Sequence, residues 1–167
     1  MEETLAAVGV NERDLEAYMR AALAEAEAGG LAGERPIGAV LVVDGRIVSR
    51  GHSCGQATRS QLAHAEMGAL LRGGDALWEH YARAVLVTTV EPCPMCLGAT
   101  VMADVPHIVF ALHDYNVGSR QIVETIPYVQ RHIRTYRGGV LEAEARAVFE
   151  HFDPDLLVYI QPKGPLP

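Results

Sequence analysis

Apolar residues first recur at helical spacing. Leu15, Tyr18, Met19, Ala22, Leu23 and Ala26 share one helical face. Asn11 suits the N-cap, and Glu12, Asp14 and Glu16 put negative charge near the positive helix end. Gly29 and Gly30 are expected to end this helix. The pattern then changes period. Ile37 to Val43 is almost wholly apolar, as in a strand covered on both faces. Asp44-Gly45 is a tight-turn signal leading to a partner strand from Ile47 to Arg50. Gly51 to Ser60 reads as a polar loop, and a helix is expected from about His64 to Arg72, stopped by Gly73-Gly74. Ala84 to Thr89 is a β-branched strand that Pro92 breaks. A helix from about Cys93 to Ala103 and a strand from His107 to Leu112 follow.

Beyond Leu112 the periodicity weakens. Ile122 to Tyr136 reads as an irregular lid followed by a helix, with Pro127 as a break. Val140-Leu141 suggests a short strand, Glu142 to Phe152 a helix, and the Pro-rich end a tail or packed extension. Trp78 and Tyr81 are expected to pack a helix against the sheet, and Phe149, Phe152 and Tyr159 to serve core or tail packing. Alternating strands and helices predict an α/β layered domain with a mixed sheet. With 167 residues and no repeat, low-complexity stretch or linker, a single domain spanning 1-167 is expected.

Composition narrows the class. At 49% hydrophobic and 21% charged, the chain has the makeup of a folded globular protein rather than a disordered one. No apolar run approaches the roughly 20 residues that span a bilayer. The acidic start at Met1, Glu2 and Glu3 lacks the positive charge that opens a signal peptide, so a cytoplasmic location is the default. Three cysteines do not make a disulfide framework. Cys93-Pro94-Met95-Cys96 reads instead as a metal or redox motif, and Cys54 as an inert thiol. Formal net charge is −7, with Lys163 the one lysine. Proteins that hold nucleic acid cluster Lys and Arg against phosphates. The one candidate stripe, Arg131, Arg134 and Arg137 with His132 among them, reads as a solvated helix face. A small molecule is therefore the expected partner, with neither nucleic acid nor membrane.

Two segments carry chemistry: His64-Ala65-Glu66 and Glu91-Pro92-Cys93-Pro94-Met95-Cys96. Each opens an expected helix. Catalytic zinc takes three protein ligands from imidazole, thiolate and carboxylate, and keeps a position for water. Cys93 and Cys96 share a helix face, where the positive helix end favours thiolates. His64 would complete the set. Two positions along a regular helix turn about 200°, so His64 and Glu66 converge only if His64 sits at the helix edge. Glu66 would then act as general acid and base. His113, Asp114, Tyr115 and Asn116 form a polar run just after a strand, where α/β folds place ligands.

On these residues the chain resembles the cytidine-deaminase-like superfamily, especially its free-base deaminases (cytosine, guanine) and bacterial tRNA adenosine deaminases. The family motif is His-x-Glu followed by Pro-Cys-x-x-Cys. Here it stands as His64-Ala65-Glu66 and Pro92-Cys93-Pro94-Met95-Cys96. The likeness runs from Arg35-Pro36-Ile37-Gly38-Ala39-Val40 through Asp44-Gly45 and Gly51-His52 to Val109-Phe110. It implies a three-layer α/β/α fold around a five-stranded mixed sheet, usually dimeric, with Zn2+ held by His64, Cys93 and Cys96. It also implies Glu66 as the proton shuttle, a pocket floor at Ile37 and neighbours, and a backbone carbonyl near Glu91 that meets the substrate amine. Ala65, His113, Asp114 and Asn116 join the candidate substrate contacts. Ser53 stands where such enzymes usually carry an asparagine that reads the base edge; a hydroxyl offers less than an amide. The expected reaction is zinc-dependent hydrolytic removal of an exocyclic amine from a small amino-heterocycle, a free cytosine- or guanine-type base or a related pterin or triazine. The alternatives are deamination of the tRNA wobble adenosine and a non-catalytic zinc-binding interaction module.

Overall fold

The computed structural model describes residues 5–162. The acidic start at Met1 to Glu3 and the last residues, Lys163 to Pro167, lie outside the described residues. Helix α1 spans Glu12–Leu31, and strands β1 and β2 span Gly38–Val43 and Arg46–His52. Helices α2 (Gly55–Thr58), α3 (Ala65–Arg72) and α4 (Gly74–His80) lead to β3 (Ala84–Val90), α5 (Pro94–Met102) and β4 (His107–Leu112). Helices α6 (Arg120–Thr125) and α7 (Pro127–His132), strand β5 (Thr135–Arg137), and helices α8 (Glu142–Phe152) and α9 (Pro154–Ile160) complete the chain.

The five strands lie in the order β2-β1-β3-β4-β5. β1 runs antiparallel to β2 and β3, while β3, β4 and β5 run parallel, so the sheet is mixed. Strand side chains alternate between faces. Val40, Val42, Val85 and Val87 pack against α1, α8 and α9 on one face. Ala39, Leu41 and Leu86 meet α3 and α4 on the other, with Ile108 and Phe110 against α5 and α7 beside them. The architecture is the expected α/β/α sandwich. β1, β3 and β4 are buried along their whole length, as their apolar runs require.

Local chemistry explains the early elements. The Asn11 side chain accepts from the Asp14 N–H, and Asp14 answers the Asn11 N–H, a reciprocal cap. Asp44 and Gly45 both adopt positive φ, 51° and 71°, in the turn between β1 and β2. Two glycines let helices lie directly on strands. A Cβ at Gly38 would strike the α1 backbone at Ala22 and Ala26, and one at Gly51 would strike α3 at Ala65 and Ala69.

Several expectations are corrected. Gly29 and Gly30 sit inside α1, which runs on to Leu31. Their absent side chains serve packing: a Cβ at Gly30 would stand 2.5 Å from the Phe152 ring. The expected 51–60 loop holds the end of β2 and all of α2, and Gly74 opens a helix instead of closing one. Trp78, at 83% exposure, does not pack α4 on the sheet; Leu77 does. The last strand is Thr135–Arg137 rather than Val140-Leu141, and Pro154–Ile160 is helix rather than tail. Arg131, Arg134 and Arg137 form no helical stripe, since Arg131 lies in α7, Arg134 beyond it and Arg137 in β5. Among the described residues no helix is long and apolar enough to cross a membrane.

Candidate active site

His64 is the N-cap of α3, with extended backbone (φ −76°, ψ 156°). That conformation removes the 200° problem, because its side chain leaves the chain before helical rotation begins. Cys93 caps α5 in the same way (φ −68°, ψ 167°), with Pro94 next. Two helix starts therefore face each other. Gly51 sets how closely α3 approaches β2, and with it the depth of His64 and Glu66.

Nδ1 of His64 lies 3.7 Å from Cys93 Sγ and 3.5 Å from Cys96 Sγ. All three donor atoms fall within 4.8 Å of one another. Tetrahedral zinc with ordinary bond lengths separates a nitrogen and a sulfur ligand by about 3.6 Å. The spacing fits zinc. The protonation chemistry agrees: the Cys93 thiol is held down to about 4, chiefly because Cys96 donates to it and then because of His64. Cys96 is pushed up, first by that same bond and then by burial. His64 is raised by its contact with Cys93. Two sulfurs and a ring nitrogen that must otherwise share protons make a donor set suited to a cation.

Glu66, 3% exposed, stands beside this trio. Its Oε2 lies 3.5 Å from Cys96 Sγ, and Thr88 Oγ1 lies 3.4 Å from Oε1. Burial pushes its carboxyl above the usual range. A carboxyl raised in this way holds a proton more readily and can both take and give one.

His64, Glu66 and Cys93 floor a cavity of about 770 Å³. Sites that enclose drug-sized ligands run about 300–1,000 Å³, so there is room beyond a single ring. Ile37, Ser53, Ala65, Glu91 and Asp114 line it together with His64, Glu66 and Cys93. Ser53 is buried, its N–H bonded to the Ile37 carbonyl at 3.0 Å. His113 and Asn116 do not line the cavity. The His113 ring stands edge-on to Phe110 with Nδ1 3.5 Å from Glu91 Oε2, and the Asn116 amide donates to the Tyr159 carbonyl. The polar run after β4 thus builds walls more than it presents contacts.

One fact decides the family: the profile of the cytidine and deoxycytidylate deaminase zinc-binding region matches residues 12–112, which hold all four of these groups. The chain belongs to that family. It is a zinc-dependent hydrolytic deaminase. The chain is 37% identical over 145 residues to a tRNA-specific adenosine deaminase of Bacillus subtilis (strain 168), covering 84% of this chain and 89% of that one. A solved structure from work on A-to-I editing by tRNA:A34 deaminases at the wobble position superposes with a TM-score of 0.71, at 31% identity over 78% of this chain and 97% of that one. A guanine deaminase from Nitrosomonas europaea shares the fold, with a TM-score of 0.67 at 24% identity over 83% and 84%.

The relatives overturn two expectations: a free small ring as the deaminase's substrate, and the exclusion of nucleic acid. Both rested chiefly on the net charge of −7 and on the lack of a Lys and Arg cluster in the sequence. That figure sums the whole surface, whereas a deaminase engages one extruded base and its flanking nucleotides locally.

The deaminase motifs mark only the floor. Phe152, Asp153, Leu156, Tyr159 and Ile160 close the cavity from α8 and α9. Phe149 fills the core, as expected, but Phe152 and Tyr159 face the site as well. Asp153-Pro154 was the available signal: Asp153 accepts from the Leu156 N–H at 2.9 Å and Pro154 takes the first helical position, a standard helix start. The loop at Gly33 to Arg35 and the α2 region, through Gly55, Gln56 and Arg59 to Gln61, also line the cavity, joined by Glu34, whose carboxylate accepts from the Gln56 and Ala57 N–H groups at 2.9 and 2.7 Å.

Proposed function

We propose that this chain deaminates adenosine in tRNA at the wobble position, converting it with water to inosine and ammonia. Carrying this reading is the 37% identity to a tRNA-specific adenosine deaminase across nearly the full length of both chains. The roomy cavity behind Glu66 supports it, since a nucleotide extruded from an anticodon loop brings sugar and phosphate with its base.

His64, Cys93 and Cys96 would hold the zinc. When bound, the ion supplies Lewis acidity that makes water a nucleophile near neutral pH. Glu66 does the rest of the proton work. Its buried carboxylate takes a proton from the attacking water and gives it to the ring nitrogen beside the reacting carbon, then takes the second proton from the newly added hydroxyl and delivers it to the departing amine. Ile37, Ser53, Ala65, Val90 and Asp114 would shape the space for the ring. A reducing, cytoplasmic setting suits three unpaired cysteines. A homodimer is also proposed, supported by the exposed apolar side chains of Leu71, Trp78 and Met102 on α3, α4 and α5.

Inosine formation and ammonia release, followed on an anticodon stem-loop RNA, adenosine, guanine and cytosine, test the reading. The stem-loop with adenosine at the wobble position is turned over, the same RNA with guanosine there is not, and turnover weakens as salt rises. Turnover of a free base with none on the RNA overturns the assignment.

A further inference from the structure

The Glu91 carboxylate lies directly behind the second zinc motif, is 5% exposed, and is surrounded by donors. Its Oε2 accepts from the Asp114 N–H at 3.2 Å and faces His113 Nδ1 at 3.5 Å. Its Oε1 accepts from the Arg120 N–H at 3.1 Å and from the Tyr136 hydroxyl at 3.0 Å. Tyr136 is held protonated, first by burial and then by the Glu91 charge. The Ser119 hydroxyl donates to the Pro92 carbonyl at 2.8 Å, one residue along. Gly118 is shaped around the carboxylate: an added Cβ would stand 2.7 Å from Glu91 Cδ and Oε2 and would also strike the Asp114 carbonyl.

These bonds continue outward. The held loop puts Asp114 and Val117 on the cavity wall. Its Tyr115 N–H donates to the Ile160 carbonyl at 3.0 Å, and its Asn116 amide to the Tyr159 carbonyl, so the same loop anchors α9. Leu156, Tyr159 and Ile160 of α9 form another part of the wall. A buried carboxylate with this many donors is costly to disturb, because every donor loses its partner at once.

We infer that the Glu91 side chain is a positioning residue: it ties the Cys93 helix start to the loop at 114–120 and, through that loop, to α9, and so sets the fit of the substrate rather than the proton chemistry. The role differs from that of the main-chain carbonyl near Glu91, which faces the amine in the family resemblance. The consequence for turnover rests on the tRNA reading above; the consequence for the loop does not.

Glu91→Gln tests this, because it keeps the volume but turns an NH2 group toward donors. In the zinc-loaded protein, hydrogen–deuterium exchange should speed up by about tenfold or more at the Asp114 or the Arg120 amide, whichever then faces the NH2 group in place of its acceptor oxygen. KM for the stem-loop RNA should rise about tenfold while kcat changes by less than about threefold and zinc content stays at that of the parent protein. Tyr136→Phe, which removes one donor and little volume, should raise KM a few-fold alone and add nothing to Glu91→Gln. Unchanged exchange at both amides in Glu91→Gln overturns the inference. So does a loss of zinc and kcat together with KM unmoved, or strict additivity of the two substitutions. If the parent protein leaves the RNA untouched, the tRNA reading fails, and amide exchange still decides the role of Glu91.

Discussion

The stretch from β1 to α5 and the stretch from His113 to Ile160 enclose the same cavity by opposite means. The first holds its chemical groups at helix starts that are locked by backbone packing: Gly51 against α3, Cys93 at the head of α5. The second holds walls through hydrogen bonds to a carboxylate and to main-chain carbonyls, from Glu91 to Asp114 and Arg120, and from Tyr115 to Ile160. Rigid elements position chemistry, and loops braced by polar groups shape what enters. The two halves should therefore fail differently, the first in turnover or metal, the second in fit.

The largest effect should come from Glu66→Ala. Loss of general acid and base catalysis should lower kcat by about 10²–10⁴-fold, with zinc retained. Full activity in that variant, read by ammonia release, would break the division between the halves. Cys93→Ala or Cys96→Ala should remove zinc, since two protein ligands hold it poorly, and elemental analysis against protein concentration checks this. On the other half, Phe149→Ala should cost about 3–5 kcal/mol by emptying a fully buried site under α9, measured by denaturant unfolding. Zinc bound to the folded fraction should be unaffected, so metal loss there at equal folding would show the halves to be coupled.

A smaller effect should follow pH. His107, 1% exposed at the start of β4, has its pKa lowered by burial, and its Nδ1 lies 2.8 Å from Thr135 Oγ1 on β5. The unfolded chain binds this proton first, near pH 6.5. The contribution is therefore complete above about 6.5 and is lost as pH falls toward the lower folded value. Between pH 7.5 and 5.5 the parent protein should lose more Tm than His107→Gln does; equal losses would remove the histidine from the account. Smallest of all, Ser53→Asn should shift KM between RNA and free bases by a few-fold with kcat nearly constant, because it adds an amide to the wall without touching Glu66.

The same division explains what could be read in the sequence. β1, β3 and β4 were plain because burial on both faces leaves apolar runs. His64, Glu66, Cys93 and Cys96 were plain because few residue types bind zinc and move protons. The walls were not. The Glu91 carboxylate is silent until Asp114, Arg120 and Tyr136 arrive from 23 to 45 positions away. Short elements such as α2, α7 and β5 hold too few residues for a period to show. α9 hid behind a proline that looked like a tail and served as a first helical residue. The exclusion of nucleic acid failed because net charge averages over a whole surface and says nothing of one place on it.

The bond from the Tyr115 N–H to the Ile160 carbonyl joins main chain to main chain. It acts as a latch whose parts carry no side-chain identity, so an exposed residue of α9 such as Val158 can be exchanged while the latch still fastens. It also marks where a fused partner protein would do harm: one spliced in just before Ile160 would part α9 from the loop that holds it.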